Sequence, residues 1–218
     1  MTDAEGRLEE VRARIAKAAK LAGRKTEDVT LIAVSKTHPA GRIRPLLEAG
    51  HRDFGENRVQ EAADKWPALL EEFPDARLHM IGQLQSNKAA EAAALFPVIH
   101  SVDRPSLVKA LAKADETPET FLQVNIGDED QKGGCPIGEI GNLKQRMDDA
   151  GLVPTGLMCL PPADTEPAPY FALLRKLAAE HDLTGLSMGM SADFQTAVML
   201  GATHVRVGTA LFGERDSH

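Results

Sequence analysis

The chain has 218 residues, with 25 Lys and Arg against 32 Asp and Glu and a formal net charge of −7. That length can bury one sizeable core, so a single domain spanning residues 1–218 is expected, and the acidic balance argues against a nucleic-acid groove, which needs a basic surface. Two cysteines, Cys135 and Cys159, are too few for a disulfide framework and point to a reducing, cytoplasmic setting; no apolar leader opens the chain and no apolar run is long enough to span a bilayer.

Leu8, Val11, Ile15, Ala18 and Ala22 recur at helical spacing behind Thr2 and Glu5 in capping-box register, which predicts an amphipathic helix over about residues 3–22. The apolar run from Leu31 predicts a buried strand to Lys36, and Pro39–Ala49 reads as a helix stopped by Gly50. Further strands are predicted at Asp53–Gly55, Leu78–Gly82, Val98–Val102, Phe121–Ile126, Thr155–Leu160, Leu183–Ser187 and His204–Val207. Helical stretches lie between them at Glu56–Leu70, Ser86–Leu95, Pro105–Ala114, Ile137–Ala150, Glu166–Glu180 and Ala192–Leu200. Alternation of this kind implies an α/β fold with a parallel sheet, and eight strands suggest closure into a (β/α)₈ TIM barrel. The rival is an open doubly wound sheet. No strand is followed by a dinucleotide glycine fingerprint, and GQLQSNK at 82–88 lacks the second glycine and final Ser/Thr of a phosphate loop.

Lys36 falls at the carboxyl end of a core strand, where parallel α/β proteins bind ligands and project catalytic groups. A neutral lysine there condenses with an aldehyde, whereas a lysine that only caps the strand would snorkel into water. SMGMSADF, from Ser187 to Phe194, places Gly189 and Ser191 after the seventh strand, and HVRVGTALFG runs the eighth into Gly208 and Thr209. Loops after strands seven and eight are the usual phosphate site of barrels. Taken singly, such a glycine marks a turn and Ser191 a helix N-cap. Together with Lys36 they describe an aldehyde-reactive amine facing a phosphate cradle, which is what pyridoxal phosphate requires.

The strings VSKTHP, FGENRVQE, HMIGQLQSNK, GLMCLP, GLSMGMSADF and VRVGTALFG, in this order from about Leu31 to Gly213, resemble the pyridoxal phosphate homeostasis protein family, relatives of the amino-terminal barrel of alanine racemase. The resemblance implies a single-domain barrel without established turnover that carries pyridoxal 5'-phosphate as a Schiff base on Lys36. Such a protein would hold or buffer the cofactor, or deliver it to apo forms of enzymes that use it. Ser191, Gly208 and Thr209 match the family's phosphate contacts, Arg206 matches the arginine that faces the pyridine nitrogen, and Asn57 and His79 sit in motifs that line the pocket. The loop IGDEDQKGGCP keeps the family's Lys132 and Gly134 but departs at Cys135 and Pro136, and His38 stands where some members have a second lysine.

Arginine does not deprotonate in proteins, so Arg206 should leave the pyridine nitrogen neutral and the ring a weak electron sink. A racemase also needs a second acid/base, which in alanine racemase is a tyrosine from the other domain of a partner subunit. The one tyrosine here, Tyr170, is predicted on an outer helix. The expectation is therefore a monomeric carrier, with a slow amino-acid racemase and a lysine Schiff-base aldolase as alternatives; the aldolase gives Arg206 no task. His79 reads equally well as a core histidine, the seven histidines lack metal-site spacing, Leu173, Leu174 and Leu177 form a packing stripe, and Lys88 reads as a solvated or structural charge.

Overall fold

The computed structural model describes residues 3–213. Helix α1 (Asp3–Leu21) buries Leu8, Val11, Ile15 and Ala18 along one face, as the spacing predicts; Thr2, the proposed cap, lies outside the described residues. The chain then alternates: β1 (Thr30–Val34), α2 (Ala40–Glu48), β2 (Asp53–Glu56), α3 (Val59–Glu72), β3 (Arg77–Met80), α4 (Ala89–Leu95), β4 (Val98–Val102) and α5 (Pro105–Leu111). It continues through β5 (Glu119–Val124), α6 (Ile140–Asp149), β6 (Pro154–Cys159), α7 (Ala168–Glu180), β7 (Gly185–Ser187), α8 (Phe194–Met199), β8 (His204–Val207) and α9 (Thr209–Phe212).

All eight strands are parallel and pair in sequence order. β1 joins β2 with Ala33 opposite Phe54 and joins β8 with Ile32 opposite Arg206, which closes the barrel. Strand periodicity sorts the side chains into two environments. On β8, Val205 and Val207 enter the apolar layer shared with the helices, while His204 and Arg206 meet other barrel-interior groups. Inside the barrel, Val98, Phe121 and Met158 form a separate buried apolar cluster. Between β6 and β7 a Cβ on Gly156 would stand 2.1 Å from the Gly185 carbonyl oxygen, so the strands approach this closely only because glycine is there.

Most element boundaries differ from the expectation by a few residues, and several of the differences have a local cause. β1 stops at Val34 rather than Lys36, because Thr37 adopts a left-handed backbone with φ +64° and the chain turns there. The helix expected from Glu56 starts at Val59, since Glu56 pairs with Met80 in the sheet and Asn57 stays in the loop. The helices expected from Ser86 and Ile137 each open with a 3₁₀ turn. The short α9 was not expected at all. Leu174 and Leu177 of α7 are buried and Leu173 packs against them, while Tyr170 lies on the same outer helix. Among the described residues no helix is long and apolar enough to cross a membrane.

Candidate functional site

At the carboxyl ends of the strands a cavity of about 400 Å³ opens into the barrel. Lys36 and His38 follow β1, Asn57 follows β2, Ser191 follows β7, and Arg206, Gly208 and Thr209 come from β8 and the turn after it; all seven line the cavity. The volume falls within the range of small-molecule sites. The described lining residues include Lys36 and Arg206 but no carboxylate, in a chain whose net charge is −7.

The turn carrying Lys36 is fixed from below. A threonine with positive φ is strained, and the Thr37 amide is held there by donating to Glu61 Oε1 at 2.5 Å. Lys65 Nζ ties the rest together, donating to the carbonyls of Ser35 at 2.9 Å and His38 at 3.2 Å and pairing with Glu61 at 2.8 Å and the buried Glu56 at 2.9 Å. Burial alone would raise the Glu61 pKa, but the hydrogen bonds from Lys65 and the Thr37 amide outweigh it and hold the carboxyl below its ordinary value. The Ser35 hydroxyl donates to Glu56 Oε1 at 2.6 Å, and the Trp66 indole donates to the same oxygen at 3.0 Å. Asn57 is seated by a close backbone approach, because a Cβ on Gly82 would stand 2.2 Å from the Asn57 carbonyl oxygen. The His38 ring stacks on Phe212 of α9, with centroids 4.5 Å apart.

On the adjoining rim, where β8 lies beside β1, the Gly208 amide donates to Ser191 Oγ at 3.1 Å, which leaves the hydroxyl proton of Ser191 to donate elsewhere. Ser191 is not the N-cap of α8; Asp193 holds that position and takes up the Met190 amide at 2.5 Å. The Gly208 carbonyl takes up the Leu211 and Phe212 amides at 2.9 and 3.0 Å, whereas the amides of Thr209 and Ala210 come before the first intrahelical bond, so Thr209 presents donors beside Ser191.

Arg206 is only 4% exposed. Its guanidinium donates to Ser187 Oγ at 2.6 Å and to the Cys159 carbonyl at 2.8 Å, neither of them charged. Burial lowers its pKa from the ordinary arginine value. Five N–H donors are available on a guanidinium, so donors remain for a ligand after these two bonds.

His79 is the sequence-predicted residue that the structure does not bring to the cavity. It faces the barrel interior below, with no exposed surface, where it meets Asp53 and His100. The reason is height: His79 sits mid-strand on β3, level with Gly55 and Val98 in the sheet register, and Ile81, two residues on, is the β3-side residue that reaches the cavity wall. Ser187 was missed, because a serine ending a three-residue strand has no local signal.

Lys132 pairs with Glu129 at 2.7 Å and donates to the Pro161 carbonyl at 3.0 Å, outside the main cavity wall. The loop it belongs to folds back on β5: the Cys135 amide donates to the Gln123 carbonyl at 2.8 Å, and the Asn125 amide donates to the Cys135 carbonyl at 2.9 Å. Burial pushes the thiols of Cys135 and Cys159 up to about 12, so neither offers a thiolate. Lys88 pairs with Glu91 at 2.7 Å on the helix surface.

Residues 7–216 match the family described as alanine racemase, N-terminal domain. The pyridoxal phosphate homeostasis protein of Escherichia coli (strain K12) is 37% identical over 230 residues, covering 99% of this chain and 98% of that protein. Its counterpart from Pseudomonas aeruginosa is 43% identical over 219 residues, covering 96% and 94%. Among solved structures, PipY of Synechococcus elongatus with pyridoxal phosphate bound matches with a TM-score of 0.79 at 40% identity, over 91% of this chain and 100% of that one. The chain belongs to the alanine racemase N-terminal domain family and, within it, to the pyridoxal phosphate homeostasis proteins.

Proposed function

We propose that this protein binds pyridoxal 5'-phosphate in the carboxyl-terminal cavity, with Lys36 holding the aldehyde as a Schiff base, and that it stores or hands on the cofactor without turnover of its own. The observation that carries this reading is the donor set: one lysine amine, one buried guanidinium, the Ser191 hydroxyl and the amides around Gly208 and Thr209 share a cavity wall free of carboxylates. A phosphorylated aldehyde with a ring acceptor matches it group for group. Ser191, Gly208 and Thr209 would bind the phosphate, Lys36 the aldehyde carbon and Arg206 the ring nitrogen, with Asn57 and His38 bounding the ring.

When bound, pyridoxal phosphate supplies an electron sink whose strength depends on protonation of its ring nitrogen. Arg206 works against that protonation, because it only donates. This favours a carrier over a racemase, as does Tyr170, which lies on an outer helix away from the cavity. Cytoplasmic residence agrees with two buried cysteines that form no disulfide. A monomer suffices, since one chain supplies the whole donor set, and recipients would be apo forms of enzymes that use the cofactor.

The test is chemical capture. Protein treated with pyridoxal phosphate and then borohydride should carry a reduced pyridoxyl group on the Lys36 peptide by mass spectrometry, and Lys36→Ala should abolish that label while retaining noncovalent binding. Label on another lysine, or none, would overturn the assignment. With an amino acid in heavy water, α-hydrogen exchange by the native protein should be very slow; inversion at enzyme-like rates would promote the racemase.

A further inference from the structure

A line of side chains runs through the barrel from the cavity floor to the opposite mouth. Arg206 donates to Ser187 Oγ at 2.6 Å; Ser187 Oγ lies 2.8 Å from His100 Nδ1; His100 Nε2 lies 3.0 Å from His79 Nδ1; and His79 Nε2 lies 3.0 Å from Asp53 Oδ1. Ser187, His79 and His100 have no exposed surface, whereas the Asp53 side chain is 29% exposed and lines a pocket of about 360 Å³ at the amino ends of the strands. Five residues from five different strands therefore join the two mouths.

The chemistry fixes every proton along this line. Burial lowers the pKa of both His79 and His100, so both rings are neutral and each has one donor and one acceptor. Burial alone would raise the Asp53 pKa, but the His79 hydrogen bond outweighs it and the carboxyl stays ionised. A carboxylate only accepts, so His79 must carry its proton on Nε2 and accept at Nδ1. His100 must then donate from Nε2 and accept at Nδ1, and the Ser187 hydroxyl must donate to His100. That orientation turns an oxygen lone pair towards Arg206, which only donates. Donor-only arginine at one end and acceptor-only carboxylate at the other make the line run one way.

We propose that Asp53, His79 and His100 are positioning residues for Arg206, orienting its guanidinium towards the cofactor's ring nitrogen through this one-way line of hydrogen bonds. The inference rests on the reading that the cavity holds pyridoxal phosphate. Chains of hydrogen bonds polarise one another, so the carboxylate at the far mouth acts on a buried guanidinium whose own partners are uncharged. Other charged or titratable groups face the line. His204 packs with ring centroids 6.2 Å from His79 and 5.6 Å from His100, His51 donates to the Asp53 carbonyl at 2.8 Å, and Arg77 pairs with Glu119 at 2.5 Å at the same mouth.

Histidine ¹⁵N shifts in protein free of added cofactor test the line by itself: His79 and His100 should both be protonated on Nε2, and a proton on Nδ1 of either would overturn the proposal. Asp53→Asn offers an amide that either accepts or donates, so both tautomers should appear. In the same variant, pyridoxal phosphate binding should weaken by about 5- to 10-fold and the visible band of the bound cofactor should shift. Glu119→Gln removes an equal charge at the same mouth without touching the line, and should change neither tautomers nor band. If Asp53→Asn mixes the tautomers but leaves affinity and band unchanged, or if Glu119→Gln reproduces its effect, the coupling to Arg206 is wrong while the carrier reading stands. A native protein that takes up no pyridoxal phosphate would overturn the functional reading and this inference with it.

Discussion

The two mouths of this barrel are built from the same eight strands and treat charge in opposite ways. At the amino ends, Arg77 meets Glu119 at 2.5 Å and Asp53 meets His79 at 3.0 Å, so each charge or dipole finds its complement within the protein. At the carboxyl ends, Lys36 and Arg206 share a cavity wall with no carboxylate. Charges answered internally stabilise the fold and need no ligand, whereas cations left facing a cavity are completed by an anion from outside. One end of the barrel is thus specialised for holding the structure together and the other for holding something else. Apart from the line that starts at Asp53, substitutions at the amino half should show in unfolding, and substitutions at the carboxyl half in binding.

The largest effect should come from the packed interior. Phe121 has no exposed surface, belongs to the interior apolar cluster and stacks on His100 with centroids 4.5 Å apart. Phe121→Ala removes that packing and leaves a cavity, at a cost of about 3 to 5 kcal/mol. Urea denaturation should show the loss as a lower midpoint at an unchanged slope. A variant that keeps the native midpoint would mean that the amino half contributes far less than its burial implies.

Acid should separate the halves next. Burial lowers the His51 pKa from 6.5 to about 4, and the residue is 4% exposed beside Asp53. Between those values the unfolded chain binds a proton that the folded protein refuses, so stability rises with pH across the window. The His51 contribution is complete above about pH 6.5 and falls away as pH drops towards 4, by about 3 kcal/mol in all. His204, also lowered to about 4 chiefly by burial, acts in the same direction. His51→Gln keeps a donor for the Asp53 carbonyl without titrating, so its denaturation midpoint should fall less between pH 6.5 and 4.5 than that of the native protein. Equal falls would remove His51 from the acid response.

The same division explains what could be read from the sequence. The barrel was legible because eight apolar runs alternate with helical stretches, a pattern local to each element. The meeting of Lys36, Ser191, Arg206, Gly208 and Thr209 at one cavity was legible because they lie at or just after strand ends, at the edge where such folds bind ligands, and because their motifs recur in a recognisable order. The line from Asp53 to Ser187 was not legible. Its members come from β2, β3, β4 and β7, and hydrogen bonds across a barrel leave no spacing along the chain. The available signal was that His79, His100 and His204 occupy inward positions of three strands, where a polar ring requires a partner. Thr37 was hidden for another reason, since nothing in VSKTHP announces a left-handed threonine held by Glu61 from α3. α9 was missed because four residues span barely one turn, too short for a repeat of the helical period to show.

The smallest effect on folding should accompany a clear effect on binding at Ser191. Its hydroxyl oxygen accepts the Gly208 amide, and in the proposed binding mode its proton goes to the phosphate, so Ser191→Ala should remove one charge-assisted hydrogen bond to ligand and one neutral bond within the protein. The first is worth roughly 1.5 to 3 kcal/mol, which is about one to two orders of magnitude in affinity for pyridoxal phosphate. The second costs about 1 kcal/mol or less, because the turn lies at the cavity rim where water can replace the lost acceptor. Equilibrium titration followed through the cofactor's absorbance, set beside urea denaturation of the same sample, separates the two. Affinity that falls while the midpoint barely moves places Ser191 in the phosphate cradle. Unchanged affinity would restrict Ser191 to bracing Gly208 and leave the amides of the β8–α9 turn to carry the phosphate by themselves.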